Sequence, residues 1–146
     1  MPQGRAIHVP PWVVESWEER KTQIYPAETY AVYAAIWTHA EQLAGLDVIA
    51  FVDNEAAASS IIRGRCDDVG DIVQSLHWLL LKYSIRLWVE WIDSKSNPSD
   101  GLSRLGLLDP WTLQQGWSLD EGSLPPWKAT FRTHVEMCRD TLGLSV

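Results

Sequence analysis

The apolar residues in the middle of the chain change between the period of a helix and the period of a strand. Between Asp67 and Ser84 they recur every three or four positions, which predicts an amphipathic helix covering a core: Val69, Ile72, Val73, Leu76, Leu79 and Leu80. Residues 47–53, DVIAFVD, predict a strand buried on both faces of a partly parallel sheet. Residues 85–92, IRLWVEWI, predict a second strand from their β-branched and aromatic content.

Capping residues predict the helices around these two strands. Asn54 suits the N-cap of a short helix that ends at Gly64, and Ser96-Asn97-Pro98 opens another short helix. Pro26 lies where the first turn of a longer helix tolerates proline. In that helix a narrow face of small side chains is expected to pack on the sheet: Ala27, Ala31, Ala34 and Ala35.

Both ends of the chain carry weaker signals. Residues 5–9 predict a short edge strand, stopped by two prolines, and residues 12–20 predict a turn or two of helix. After Arg104 the sequence to residue 126 is rich in Gly, Pro, Trp and Asp, and residues 127–142 predict a terminal helix. We therefore expect one domain over residues 1–104 and a tail over residues 105–146.

The alternation of strands and helices predicts an α/β fold. The connection between the two central strands is helical, so right-handed crossovers should make them parallel neighbours, with helices on both faces of the sheet. The length of 146 residues suits this prediction, because it is the size of one ordinary domain.

The charge and the amino-acid composition of the chain exclude several classes of protein. A net charge of −7 and a pI near 4.9 exclude binding of nucleic acid by an overall basic field, so any such contact must be local or metal-mediated. Cys66 and Cys138 are too few for a disulfide framework, and the four histidines lack zinc-site spacing. Without an apolar run of membrane-spanning length or a signal peptide, we expect no membrane contact and an intracellular location, in the cytoplasm or nucleus.

Three acidic residues stand at positions where an α/β sheet gathers ligands. Asp53 ends a central strand, Asp100 lies in the first turn of the helix after the next strand, and Glu28 lies in the first turn of the alanine-rich helix. If they converge, their repulsion would favour a hard divalent cation such as Mg²⁺ or Mn²⁺. Taken singly, each is better explained as a helix-capping or first-turn acid favoured by the helix dipole.

Each of these three acids lies in a longer run of sequence that resembles a known family: RKTQIYPAETYAVYAA, VIAFVDNEAAASSIIRG and LWVEWIDSKSNPSDGLSR. They resemble successive blocks of the ribonuclease H domains of retroelement (retrotransposon) reverse transcriptases, over roughly Ala6 to Arg104. The resemblance implies a ribonuclease H-like mixed sheet flanked by helices. It also implies that Glu28, Asp53 and Asp100 are catalytic residues and metal ligands of a two-ion magnesium or manganese site. The implied activity is endonucleolytic hydrolysis of the RNA strand of an RNA–DNA hybrid, beside an upstream reverse transcriptase domain.

One departure from the family pattern qualifies the resemblance. The family carries a fourth carboxylate, an Asp on its first strand that bridges both metal ions, and only 27 residues precede Glu28 here. Residues 5–17 resemble the family's third strand and the turn after it. We therefore expect the first strand or strands to be missing and the chain to be N-terminally truncated, with incomplete activity.

Further residues near the expected site are candidates for binding substrate. Four basic side chains could contact hybrid phosphates, or could be solvated surface charges: Arg63, Arg65, Lys95 and Arg104. Asn54 and Asn97 could add hydrogen bonds to the substrate, although helix capping explains both.

Two other functions stay open at this point. One is a non-catalytic ribonuclease H-like module that packs within a reverse transcriptase assembly, which the nine tryptophans and the absent strand would suit. The other is a small acidic interaction domain whose carboxylates are only caps.

Overall fold

Helices and strands alternate through the chain as its apolar pattern predicts. The computed structural model describes residues 2–19, 21–64 and 70–125. In chain order the elements are β1 (Gln3–Ala6), α1 (Pro11–Glu15), α2 (Ile24–Leu43), β2 (Asp47–Val52), α3 (Glu55–Arg63), α4 (Gly70–Tyr83), β3 (Arg86–Trp91), α5 (Asp100–Leu105), α6 (Pro110–Gln114) and β4 (Ser118–Glu121). Short 3-10 turns occupy Ser94–Ser96 and Gly106–Leu108. The fold is therefore mixed α/β.

The two central strands are parallel neighbours, which confirms the pairing predicted from the sequence. β2 pairs with β3 in a register that sets Val48 beside Leu87 and Ala50 beside Val89. Helices α3 and α4 form the crossover between them. The expected single mixed sheet is not found in residues 2–125, because β2 and β3 form one two-stranded sheet and β1 and β4 form another.

The second sheet joins the start of the chain to the segment after Arg104. β1 pairs in parallel with β4, and Arg5 Nη1 lies 3.2 Å from Asp120 Oδ2. β1 begins two residues before the predicted strand and ends at Ala6. Residues 118–121 of the expected tail therefore pair with the N-terminal strand, whereas the helix predicted at 127–142 lies outside the described residues.

The core lies between α2, α4 and the covered face of the β2–β3 sheet. Tyr30 and Tyr33 of α2 are fully buried beside Leu76 and Leu79 of α4. Burial raises the pKa of the Tyr30 hydroxyl to about 12. The predicted small-residue face of α2 is only partly correct, since Ala34 is buried and Ala27 packs against the core whereas Ala31 and Ala35 are exposed. Large aromatic side chains bury more apolar area than alanine and so decide which side of the helix packs inward.

Helix α3 is bounded by the two capping residues predicted from sequence. Asn54 Oδ1 accepts a hydrogen bond of 2.9 Å from the backbone N–H of Ala57. At the other end Gly64 has a φ of +72°, a left-handed conformation that glycine adopts without strain.

Only one face of the β2–β3 sheet is covered by the described helices. Val48, Leu87 and Val89 pack against the core. On the opposite face Ile49, Phe51 and Trp88 are about 60% exposed, at 60%, 59% and 64%. The prediction of a strand buried on both faces, with helices on both sides, is therefore wrong for the described part of the chain. No helix in that part is both long and apolar enough to cross a membrane.

Candidate metal centre

Two of the three predicted carboxylates lie past the carboxyl ends of the parallel strands. Asp53 follows β2 directly, and Asp100 is the first residue of α5, which comes after β3 and a 3-10 turn. Parallel strands end at the same edge of a sheet, so this topology brings the loops that carry both residues to one edge.

Glu28 reaches the same edge from the N-terminal half of α2. The start of this helix is fixed to α3 by a hydrogen bond of 2.5 Å between the Tyr25 hydroxyl and Ser60 Oγ. The Tyr25 ring packs with the small cluster at the end of β2, which contains Val52 and Ala57. These contacts hold the first turns of α2 against the end of β2, and Glu28 with them.

The pKa of Glu28 reflects the burial of its carboxyl group and, to a smaller extent, the nearby charges of Asp53 and Asp100. Partial burial is the largest cause of a rise in this pKa from 4.5 to about 7. The negative charge of Asp53, a side-chain hydrogen bond to Asp53 and the charge of Asp100 raise it further. Glu28 is therefore protonated in a large fraction of the molecules near neutral pH, and in these molecules the site carries less negative charge than three ionised carboxylates would.

Asn97 joins Asp53 to the start of α5. Its Nδ2 donates a hydrogen bond of 3.0 Å to Asp53 Oδ2. Its Oδ1 accepts hydrogen bonds from the Ser99 backbone N–H and from Ser99 Oγ, at 3.0 Å and 2.7 Å. Sequence reasoning treated Asn97 as a cap or a substrate ligand and missed the contact with Asp53. No local signal could reveal it, because the two residues are 44 positions apart.

The other predicted substrate-binding residues fall into four groups. Arg104 Nε lies 3.3 Å from Asp100 Oδ1, so this guanidinium pairs with one of the carboxylates. Arg63, at the end of α3, and Lys95, in the 3-10 turn, are exposed to solvent. Asn54 uses its side-chain oxygen to cap α3. Arg65 lies outside the described residues.

The donor chemistry at this edge suits a hard divalent cation, because all three candidate ligands are carboxylates. Within residues 2–125, less the gaps at 20 and 65–69, no group of three His, Cys, Asp or Glu side chains could hold a metal ion. The charge of Asp100 nevertheless acts on Glu28, since charges interact over several ångströms whereas carboxylate oxygens bind Mg²⁺ at about 2.1 Å.

Comparison with known proteins gives this chain no family. No protein-family model matches it, and no curated protein and no solved structure is significantly similar to it.

Proposed function

We propose that this chain is most of a ribonuclease H-like domain from a retroelement reverse transcriptase. Its activity would be metal-dependent endonucleolytic hydrolysis of the RNA strand of an RNA–DNA hybrid. The observation that supports the proposal is the parallel pairing of β2 with β3, which brings the loops of Asp53 and Asp100 to one edge of the sheet, where the charges of both residues act on Glu28. These residues come from three separate segments of the chain.

The proposed roles follow from the contacts of each side chain. Asp53 and Glu28 would hold one cation and Asp100 the other, and a bound pair of divalent cations supplies an activated water and stabilises the leaving oxygen. Asn97 orients the Asp53 carboxylate, because its Nδ2 donates a hydrogen bond to Asp53 Oδ2. The other carboxylate oxygen of Asp53, Oδ1, would then be directed toward a ligand. Arg104 neutralises Asp100 in the absence of cation and would be released to a hybrid phosphate when Asp100 ligates.

The missing fourth carboxylate limits the activity expected of these 146 residues. Within the described residues β2 pairs with β3 alone, so its other edge can accept a further strand. An upstream segment of a longer polyprotein would add that strand and bring the absent Asp to the site. Ligands misplaced by about 1 Å cost on the order of a hundredfold in rate, so three carboxylates without the bridging one should support little cleavage.

The test is cleavage of a labelled RNA–DNA hybrid with Mg²⁺ or Mn²⁺. Four proteins are compared: this chain, an N-terminally extended chain that carries the upstream Asp, the extended chain with Asp53→Asn, and the extended chain with Asp120→Asn. Asp120 is an exposed acid in β4, outside the site, and serves as the matched control. We expect cleavage only by the extended chain and its Asp120→Asn variant.

Two results would contradict the proposal in different ways. Robust cleavage by the short chain would mean that another acid replaces the missing one, and Glu15 or Glu18 would be tested first. If the extended chain is folded but inactive with both metals, the catalytic proposal fails.

A second candidate function is a non-catalytic ribonuclease H-like module that packs within a reverse transcriptase assembly. Large exposed aromatic side chains favour it: Trp12, Trp88 and Trp91 are exposed by half or more. An inactive extended chain that still binds the upstream polymerase domain would support this alternative.

A further inference from the structure

Asp109 is the one acidic residue among those that the structure describes to be buried, with only 4% of its surface exposed. It lies at the N-cap of α6, where its Oδ2 accepts hydrogen bonds from the Thr112 backbone N–H at 2.9 Å and from Thr112 Oγ1 at 2.7 Å. Capping alone does not require this burial. Asp93 accepts the same two kinds of hydrogen bond from Ser96 and is exposed to solvent. Because burial of a carboxyl group costs free energy, the packing around Asp109 should serve more than the cap.

The carboxyl group of Asp109 packs directly against the backbone of α5. A Cβ on Gly101 would lie 2.5 Å from Asp109 Oδ2 and 2.7 Å from its Cγ and its Oδ1. Glycine allows this close approach because it has no side chain to overlap with the carboxyl group. Gly101 is the second residue of α5 and directly follows Asp100. Asp109 therefore contacts the helical turn that carries one of the three proposed metal ligands.

Helix α5 depends on contacts of this kind for its position. It has six residues, and its N-cap residue makes no side-chain capping bond. A helix this short is not stable by itself in water. Leu102 is buried, and its Cδ2 lies 3.4 Å from the position that a Cβ would take on Gly4 of β1. Contacts from outside therefore hold α5, through Leu102 against β1 and through Gly101 against Asp109.

We propose that Asp109 is a positioning residue for Asp100, because its carboxyl group sets the position of Gly101 and so of the first turn of α5. The segment that contains Asp109 would then belong to the catalytic domain, although its composition indicated a tail. The effect of this contact on cleavage rests on the proposed nuclease function, whereas the effect on the position of Asp100 does not.

Three variants separate positioning from capping. Asp109→Asn keeps the size of the side chain and an oxygen that can cap α6. Asp109→Ser also keeps a capping oxygen, since serine is as good an N-cap as aspartate, but its shorter side chain leaves a gap beside Gly101. Gly101→Ala leaves the cap unchanged and adds the Cβ that overlaps with the carboxyl group.

The position of Asp100 is followed by ¹⁵N–¹H NMR of the 146-residue chain. The backbone amide signals of Asp100 and Leu102 report the first turn of α5. The Arg104 Nε–Hε signal reports the ion pair of this guanidinium with Asp100. The backbone amide signal of Thr112 reports whether the cap of α6 is intact.

We expect Asp109→Ser and Gly101→Ala to shift the α5 signals, including that of Arg104, while the Thr112 amide stays hydrogen-bonded. Asp109→Asn should leave the Arg104 signal at its wild-type position, because the contact with Gly101 and the cap are both retained.

Cleavage gives a second measurement, made on the N-terminally extended chain. Asp109→Ser should lower kcat about tenfold or more without changing KM for the hybrid, since misplacement of a ligand by about 1 Å costs on the order of a hundredfold in rate. Asp109→Asn should keep a rate close to that of the wild type. Val73→Ala removes volume from the buried side of α4, outside the site, and should leave kcat unchanged although it lowers stability.

The possible failures are distinguishable. Unchanged α5 signals in Asp109→Ser with an intact cap would mean that Asp109 is only a cap, and the proposal would be overturned. If Asp109→Ser loses the cap, Gly101→Ala decides, and unchanged α5 signals in that variant would overturn the proposal. A loss of kcat in Val73→Ala as large as that in Asp109→Ser would overturn it as well. An inactive extended wild-type chain would contradict the nuclease function, and the NMR signals would still decide whether Asp109 positions Asp100.

Discussion

Replacing Glu28 with glutamine should stabilise the protein at high pH and have little effect at low pH. The pKa of Glu28 rises from 4.5 to about 7 on folding, first through partial burial and then through Asp53 and Asp100. Below pH 4.5 the carboxyl group is protonated in both the folded and the unfolded state. As the pH rises from there through 7, the unfolded chain releases this proton more readily, so the free energy of unfolding decreases. Glutamine resembles the protonated acid and can still donate a hydrogen bond to Asp53.

The size of the effect follows from the two pKa values. A pKa difference of about 2.5 units corresponds to about 3.4 kcal/mol at most. Glu28 is only partly buried, so solvent screening should reduce this to about 1–2 kcal/mol. For a chain of this length that is a rise of several degrees in the melting temperature.

The measurement is urea unfolding of the wild-type and Glu28→Gln chains at pH 5 and pH 8, with a chelator to remove divalent cations. Glu41→Gln is the control, since Glu41 is exposed on the same helix and should change the free energy of unfolding by less than about 0.5 kcal/mol at either pH. If Glu28→Gln gives no more stability at pH 8 than at pH 5, then Glu28 does not share a confined site with Asp53 and Asp100, and the geometry proposed for the metal centre fails.

Three more outcomes can be checked on the same chain. Added Mn²⁺ should broaden the side-chain carbon NMR signals of Glu28 and Asp53 at lower concentration than those of exposed acids. Asp53→Asn should abolish this preference. Equal broadening of the signals of all acids would contradict the proposed metal site. Asn97→Ala removes the hydrogen bond to Asp53, so we expect Mn²⁺ affinity to fall about tenfold or more in a titration followed by electron paramagnetic resonance; an unchanged affinity would assign Asn97 to capping alone. Gly101→Ala should lower the free energy of unfolding by more than about 1 kcal/mol in urea titrations, because a Cβ there would lie 2.5 Å from the buried Asp109 carboxylate; a neutral effect would show that this contact relaxes easily.

Local chemistry in the sequence was sufficient to predict the elements in the middle of the chain. Asn54 and Gly64 bound α3 because a side-chain cap and a left-handed glycine act on the backbone beside them. The three- and four-residue spacing of apolar side chains likewise predicted α4, and the alternation of elements predicted the parallel pairing of β2 with β3.

Contacts between distant segments decided what local patterns could not. β1 pairs with β4 across more than a hundred positions, in a segment whose Gly, Pro and Trp content indicated only a tail. The buried side of α2 depends on which neighbours surround it, so Tyr30 and Tyr33 are buried there although alanine spacing pointed to a face that is only partly buried. An apolar strand such as β2 has the same composition whether one face or both are covered, and only the positions of the helices leave Ile49 and Phe51 exposed.

In the candidate site, too, some features can be predicted from the sequence and others are determined only by the folded structure. Acids at the ends of parallel strands are visible in sequence, because strand topology alone sends Asp53 and Asp100 to one edge. The hydrogen bond from Asn97 to Asp53, the pairing of Arg104 with Asp100 and the raised pKa of Glu28 all depend on distances of a few ångströms and on burial. Those quantities exist only once the chain is folded, because residues far apart in sequence become neighbours only through packing.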